Sequence, residues 1–71
     1  MDNLDALGTT IRELREMRGW NRSELADRAG VTPYTVTRLE RAQGGTRMTT
    51  VAQVADAFDA DPSDLLDDAG L

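Results

Sequence analysis

At 71 residues and a net charge of −5, with 13 acids against eight basic residues, the chain has room for one domain and one modest core. A domain of this size buries only about 60% of its unfolded surface, so its stability margin is thin. The absence of cysteine and histidine removes disulfides, cysteine-bearing zinc sites, the commonest metal ligand and the commonest general base. Triad hydrolases, zinc enzymes and most acid–base catalysts are thereby disfavoured, and a protein that is not an enzyme, with no metal and no cofactor, is expected. No apolar run approaches the roughly 18 residues needed to span a bilayer. The N-terminal MDNLDALG lacks the basic and apolar regions of a signal peptide, so a soluble cytoplasmic protein without membrane association is expected.

From the N-terminus, apolar residues fall at Leu4, Leu7, Ile11, Leu14 and Met17. Steps of three and four describe one face of an amphipathic helix ending near Gly19. Gly8 lies inside that pattern, which costs about 1 kcal/mol against alanine unless it marks close helix packing; the pattern alone leaves both open. A second helix opens at Asn21, a favoured N-cap, with Glu24 completing a capping box and Trp20 and Leu25 placed as a hydrophobic staple. Leu25, Ala26 and Ala29 form its inner stripe, and Gly30 stands where a left-handed stop is needed. Val31 alone separates this stop from the next start. Thr32 is a cap, Pro33 fits the first helical turn, and Val31 with Val36 repeats the staple.

In this third helix Val36 and Leu39 face inward, leaving Tyr34, Thr37, Arg38 and Arg41 outside. Gln43 to Thr46 form a loop by their glycine pair. A fourth helix is spelled by Met48, Val51, Ala52, Val54, Ala55 and Phe58. Asp61 and Pro62 start a short fifth helix that buries Leu65 and Leu66. Trp20 and Phe58 are in register with apolar stripes and belong to the core. No useful length alternates with period two, so the chain is expected to be all-α, one domain over residues 1–71 with five helices.

Two short helices joined through a tight glycine turn make a helix-turn-helix, whose second helix can lie in the DNA major groove. The runs LGTTIRELREMRGW, LADRAGV, RLERAQGG, VAQVADAF and PSDLL, in this order and spacing, resemble the lambda-repressor-like (Cro/repressor, XRE-type) helix-turn-helix transcription regulators. The resemblance covers about residues 4–67 without a gap. It implies a compact five-helix bundle, with the helix-turn-helix at about 22–41 and helix 3, about 33–41, entering the major groove of double-stranded DNA. The acidic C-terminal helices then occupy about 48–67.

Position by position, the resemblance places Pro33, Tyr34, Thr37 and Arg38 at base edges and Arg22, Thr32, Arg41 and Arg47 at phosphates. It also implies a structural ion pair between Arg15 and Glu40, joining helix 1 to helix 3. The chain departs from the family at Pro33, which has no hydrogen-bonding side chain and offers only shape or contact with a thymine methyl. Arg22 stands where glutamine is common, and Ala42 and Thr46 replace the usual glycine and proline. A sequence-specific transcription regulator acting as a homodimer on a palindromic operator is the expectation, with Leu4, Phe58, Leu66 and Leu71 as the first residues considered for the dimer contact.

The net charge hides a segregation. Residues 1–47 hold all eight arginines against seven acids, a balance of +1, while residues 48–71 hold six acids and no base. The acidic half supports an alternative, a protein-interaction module of the antitoxin or anti-repressor type that meets a basic partner. The run DADPSDLLDD does not make a calcium loop. Counted from Asp59, its sixth and twelfth positions are Asp64 and Gly70 where glycine and glutamate are needed. Acids in the first turn of a capped helix account for it.

Overall fold

A computed structural model describes residues 3–44 and 47–68, which form five helices with no strand among them. They are α1 (Asn3–Met17), α2 (Arg22–Ala29), α3 (Pro33–Glu40), α4 (Met48–Ala57) and α5 (Pro62–Asp68). The start of α2 is the capping box expected from its sequence. The Glu24 amide donates to the Asn21 side chain at 2.8 Å and the Asn21 amide donates back to Glu24 at 3.2 Å. At the start of α3 the Thr35 amide donates to Thr32 Oγ1 at 3.1 Å, and Pro33 supplies a preset φ where no amide is needed.

The first four helices stop in one way, by a residue in the left-handed region followed by an amide that reaches back over the last turn. These residues are Gly19, Gly30, Ala42 and Asp59, with φ of 70°, 73°, 55° and 55°. The closing bonds run from Trp20 N to Arg15 O, Val31 N to Ala26 O, Gln43 N to Arg38 O and Ala60 N to Ala55 O, at 2.9–3.1 Å. Asp tolerates the left-handed region through its short polar side chain, but alanine has no such compensation.

The core gathers Leu7 and Ile11 from α1, Leu25, Ala26 and Ala29 from α2, Val36 and Leu39 from α3, Val51, Val54 and Ala55 from α4, then Phe58 and Leu65. Helix α1 packs on α3 and α5, α2 on α3 and α4, and α4 on α5. Gly8 lies at the crossing of α1 and α3, where a Cβ would stand 2.5 Å from the Glu40 carbonyl oxygen and 2.7 Å from that of Leu39. Its absent side chain is therefore a condition of close packing. Met17 and Met48, expected on buried faces, are 82% and 59% exposed. Each sits at a helix end, where no neighbouring helix covers it. Ala52 is exposed as well, being one position off the Val51–Val54–Ala55 stripe.

At one end of the molecule the rings of Trp20 and Phe58 stack at 5.6 Å and 9°. The Arg28 guanidinium lies 4.4 Å from the Trp20 centroid, and that of Arg18 5.3 Å from Trp20 and 5.4 Å from Phe58. Arg18 also donates to the Phe58 carbonyl at 2.9 Å, placing a cation at the negative end of α4.

At the other junction, Glu40 is the buried charged residue of the core, its side chain fully covered. Arg15 grips it from α1 in a two-point contact, Nε to Oε2 at 2.7 Å and Nη2 to Oε1 at 3.1 Å, and also donates to the Trp20 carbonyl at 2.9 Å. Arg22, at the start of α2, adds a third bond from Nε to Oε1 at 3.2 Å. The hydrogen bond to Glu40 pushes the Arg15 guanidinium above the usual arginine range, outweighing the opposite pull of burial. A raised pKa on a base contributes stability at every pH below its ordinary value, so Arg15 stays charged through the neutral and mildly alkaline range.

Four substitutions have stability outcomes measurable by urea denaturation. Gly8→Ala is expected to destabilise by about 1–3 kcal/mol through overpacking against rigid backbone, although alanine is the better helix former by about 1 kcal/mol; a stabilised variant would refute the close crossing. Ala42→Gly is expected to stabilise by about 1 kcal/mol by relieving the left-handed alanine. Glu40→Gln should cost about 3–5 kcal/mol, because the half-buried Arg15 is left without its counter-charge at a fully covered site, whereas Arg22→Ala, whose side chain is 38% exposed, should cost no more than about 1 kcal/mol.

Candidate nucleic-acid interface

Helix α3 is held on one side and free on the other. Val36, Leu39 and Glu40 are buried, which fixes the rotation of the helix about its axis, while Tyr34 on the opposite side is 69% exposed. Thr37 and Arg38 are half-buried at the edge of that outer face, and Pro33 is exposed at its N-terminal end. The Arg38 guanidinium carbon lies 5.6 Å from the Tyr34 ring centroid, a cation–π contact across one helical turn. The four residues expected at base edges are thus brought onto one exposed side of one short helix.

The residues expected at phosphates are distributed around it. Thr32 is exposed, but its hydroxyl oxygen is engaged as the helix cap and lies 3.0 Å from Thr35 Oγ1. Arg41 follows the last turn of α3 as its C-cap, and Arg47 precedes the first turn of α4 without a side-chain capping bond. Both are exposed and, among the described residues, neither forms an ion pair. Arg22 is different: its Nε is bound to Glu40, so its direction is set by the same carboxylate that holds Arg15. The expected pair of Arg15 and Glu40 is present, with Arg22 as an unexpected third member.

The arginines therefore divide by task. Arg15 holds the core carboxylate and Arg18 and Arg28 cover the aromatic stack. Arg12 is exposed on α1, and Arg22, Arg38, Arg41 and Arg47 fall between the first residue of α2 and the N-cap of α4. On the acidic half, Asp56, Asp59, Asp61, Asp64 and Asp67 are all exposed, and α4 and α5 contain no basic residue.

Three further facts bear on the candidate residues. Gly44, in the loop after α3, lies against Arg38, and a Cβ there would overlap the guanidinium; the sequence signals a loop at this glycine and nothing of that contact. Phe58, considered for a dimer contact, is 3% exposed and belongs to the core, while Leu66 is half-buried against that core. The side chain of Leu4, all of Leu71 and the loop residue Thr46 lie outside the described residues. Among the described residues no helix is long and apolar enough to cross a membrane and no group of acids is placed to hold a metal ion.

Comparison with known proteins gives this geometry its relatives. A family model described as Helix-turn-helix domain matches residues 6–68. The HTH-type transcriptional regulator SutR of Escherichia coli (strain K12) is 36% identical over 56 residues, 78% of this chain; the chain spans only 32% of that relative's length. Among solved structures, the clp gene regulator ClgR from Corynebacterium glutamicum is similar with a TM-score of 0.87 and 30% identity, over 99% of this chain and 74% of that one. The restriction-modification controller protein C.AhdI from Aeromonas hydrophila is similar with a TM-score of 0.82 and 31% identity, over 87% of this chain and 94% of that one. With the family matched across nearly its whole length and the fold shared at about 30% identity with two regulators, the chain belongs to the helix-turn-helix domain family, in the XRE-type class of DNA-binding transcription regulators.

Proposed function

We propose that this chain is a sequence-specific regulator of transcription that lays α3 in the DNA major groove and acts as a homodimer on a palindromic operator. The observation that carries this reading is the division of α3 into a locked inner side, Val36, Leu39 and Glu40, and an outer side whose Tyr34 is 69% exposed. A helix so held presents a defined set of side chains to a groove about 12 Å wide. Pro33, Tyr34, Thr37 and Arg38 meet base edges, with Arg38 suited to a two-point contact on guanine and Pro33 to a thymine methyl. Arg22, Thr32, Arg41 and Arg47 meet the flanking phosphates, which position the helix without reading sequence.

The net charge does not oppose this. Charges separated by more than about 8 Å at physiological salt are largely screened, so the exposed acids of α4 and α5 weaken long-range attraction more than local contacts. The domain's size permits dimerisation. The domain's longest dimension is 27 Å, less than the roughly 34–36 Å between half-sites one helical turn apart, so two copies fit side by side on one face of the duplex. A cytoplasmic location goes with this reading.

A second reading rests on Asp56, Asp59, Asp61, Asp64 and Asp67, exposed on α4, α5 and the turn between them, a stretch with no base of its own. That face suits a basic protein partner of the antitoxin or anti-repressor kind, using the same fold.

Selection of a random duplex library by the purified chain at about 100 mM salt separates the two. Enrichment of a palindrome with half-sites about one turn apart is expected; a flat library from folded protein would favour the protein partner. On the enriched site, Arg38→Ala should lose preference at one base position per half-site, at about 1–3 kcal/mol. Arg47→Ala should weaken all sequences alike and reduce the salt slope by about one. The docking is wrong if these two variants behave identically across site variants.

A further inference from the structure

We propose that Gly44, a loop residue with no side chain to offer DNA, positions Arg38 and so takes part in choosing the base that α3 recognises. The inference rests on the groove reading above and assigns it an additional specificity residue outside the helix.

The left-handed stop of α3 at Ala42 turns the chain back so that the Gln43 amide donates to the Arg38 carbonyl at 2.9 Å. The loop is thereby tied to the main chain of the residue whose side chain is in question. One residue further, Gly44 is itself left-handed, with φ of 72°. The space that a side chain would fill there is occupied by the Arg38 guanidinium: a Cβ would overlap Nη2 and stand 3.2 Å from Cζ and 3.6 Å from Nε. On α3 the same guanidinium lies 5.6 Å from the Tyr34 centroid. Arg38 is therefore held by two contacts, an aromatic ring one turn earlier and the bare backbone of the following loop.

A free arginine side chain samples many rotamers, and a two-point contact with guanine needs its planar end placed to within about 0.5 Å and 10–20°. A cradle formed before DNA arrives removes part of that ordering cost from the binding step. It also explains where a substitution would act. The atom a side chain at position 44 would strike is the far end of a flexible arginine, so the fold yields easily while the aim of Arg38 is lost. Gly19 offers the contrast. It has nearly the same left-handed backbone, φ of 70°, but a Cβ there meets nothing within 4 Å.

The test compares Gly44→Asn with Gly19→Asn, since asparagine tolerates left-handed backbone but adds a Cβ. Both variants are expected to unfold at similar urea concentrations. In the free protein, the ring-current shift that Tyr34 imposes on the Arg38 side-chain resonances should disappear in Gly44→Asn and remain in Gly19→Asn. In duplex-library selection, Gly44→Asn should lose about tenfold or more of its preference at the single position that Arg38→Ala also relaxes, while Gly19→Asn keeps it. Unchanged Arg38 resonances in Gly44→Asn, or an unchanged base preference, would overturn the proposal. A wild-type protein that enriches no sequence would overturn the groove reading and the role of Gly44 in base choice with it. The resonance measurement would then still decide whether the cradle exists, so the two failures are distinguishable.

Discussion

The arrangement depends first on the buried carboxylate of Glu40. A negative charge in the last turn of a helix is disfavoured by the helix dipole, and burial adds a desolvation cost of several kcal/mol. Both are offset only because three guanidinium hydrogen bonds, two from Arg15 and one from Arg22, converge on it. The consequence is geometric. Arg15 comes from α1 and Arg22 from the start of α2, so one carboxylate relates α3 to both preceding helices. Gly8 permits the same junction from the other side, because only a residue without Cβ lets α1 come so near the carbonyls of Leu39 and Glu40. The outer face of α3 is aimed by these two features together.

The junction also answers how an acidic chain can present a basic surface. Net charge governs long-range attraction, but contact with a polyanion is decided within a Debye length. The eight arginines are apportioned: Arg15 to the core carboxylate, Arg18 and Arg28 to the Trp20–Phe58 stack, Arg12 to the exposed side of α1, and Arg22, Arg38, Arg41 and Arg47 to the segment from the start of α2 to the N-cap of α4. Arg22 belongs to two groups at once, since its Nε is fixed on Glu40 while the rest of its fork is free, among the described residues, to meet another acceptor. The acids of α4 and α5 are kept on elements that bear no arginine.

The loop after α3 is one of the places where the chain departs from the pattern that its family resemblance implies. Alanine at position 42 takes the left-handed conformation usually given to glycine, and the strain is borne because the turn returns the chain to Arg38. A glycine is still present two residues later, at position 44, where a side chain would meet the guanidinium. The loop needs its glycine more for the space beside Arg38 than for ending the helix.

Much of this protein is determined by local rules acting on the sequence. Five helices at the observed places follow from apolar spacing, from the caps Asn21 and Thr32, and from the stops Gly19 and Gly30, because each depends on residues within one turn of one another. The helix-turn-helix was legible for the same reason, whereas the Arg15–Glu40 pair, whose members lie 25 residues apart, was available only as what the family resemblance implies. Only the tertiary structure decided the rest. That Gly8 is a packing site rather than a weak point depends on which carbonyls cross it, and those lie more than thirty residues away. The binding of Arg22 to Glu40 and the exposure of Met17 and Met48 depend on how helix ends meet. The seat of Arg38 on Gly44 likewise needs the path of a loop. Periodicity identifies the inner face of a helix, but which of its ends is covered, and which charge meets which, is set by three-dimensional approach between elements that the sequence does not juxtapose.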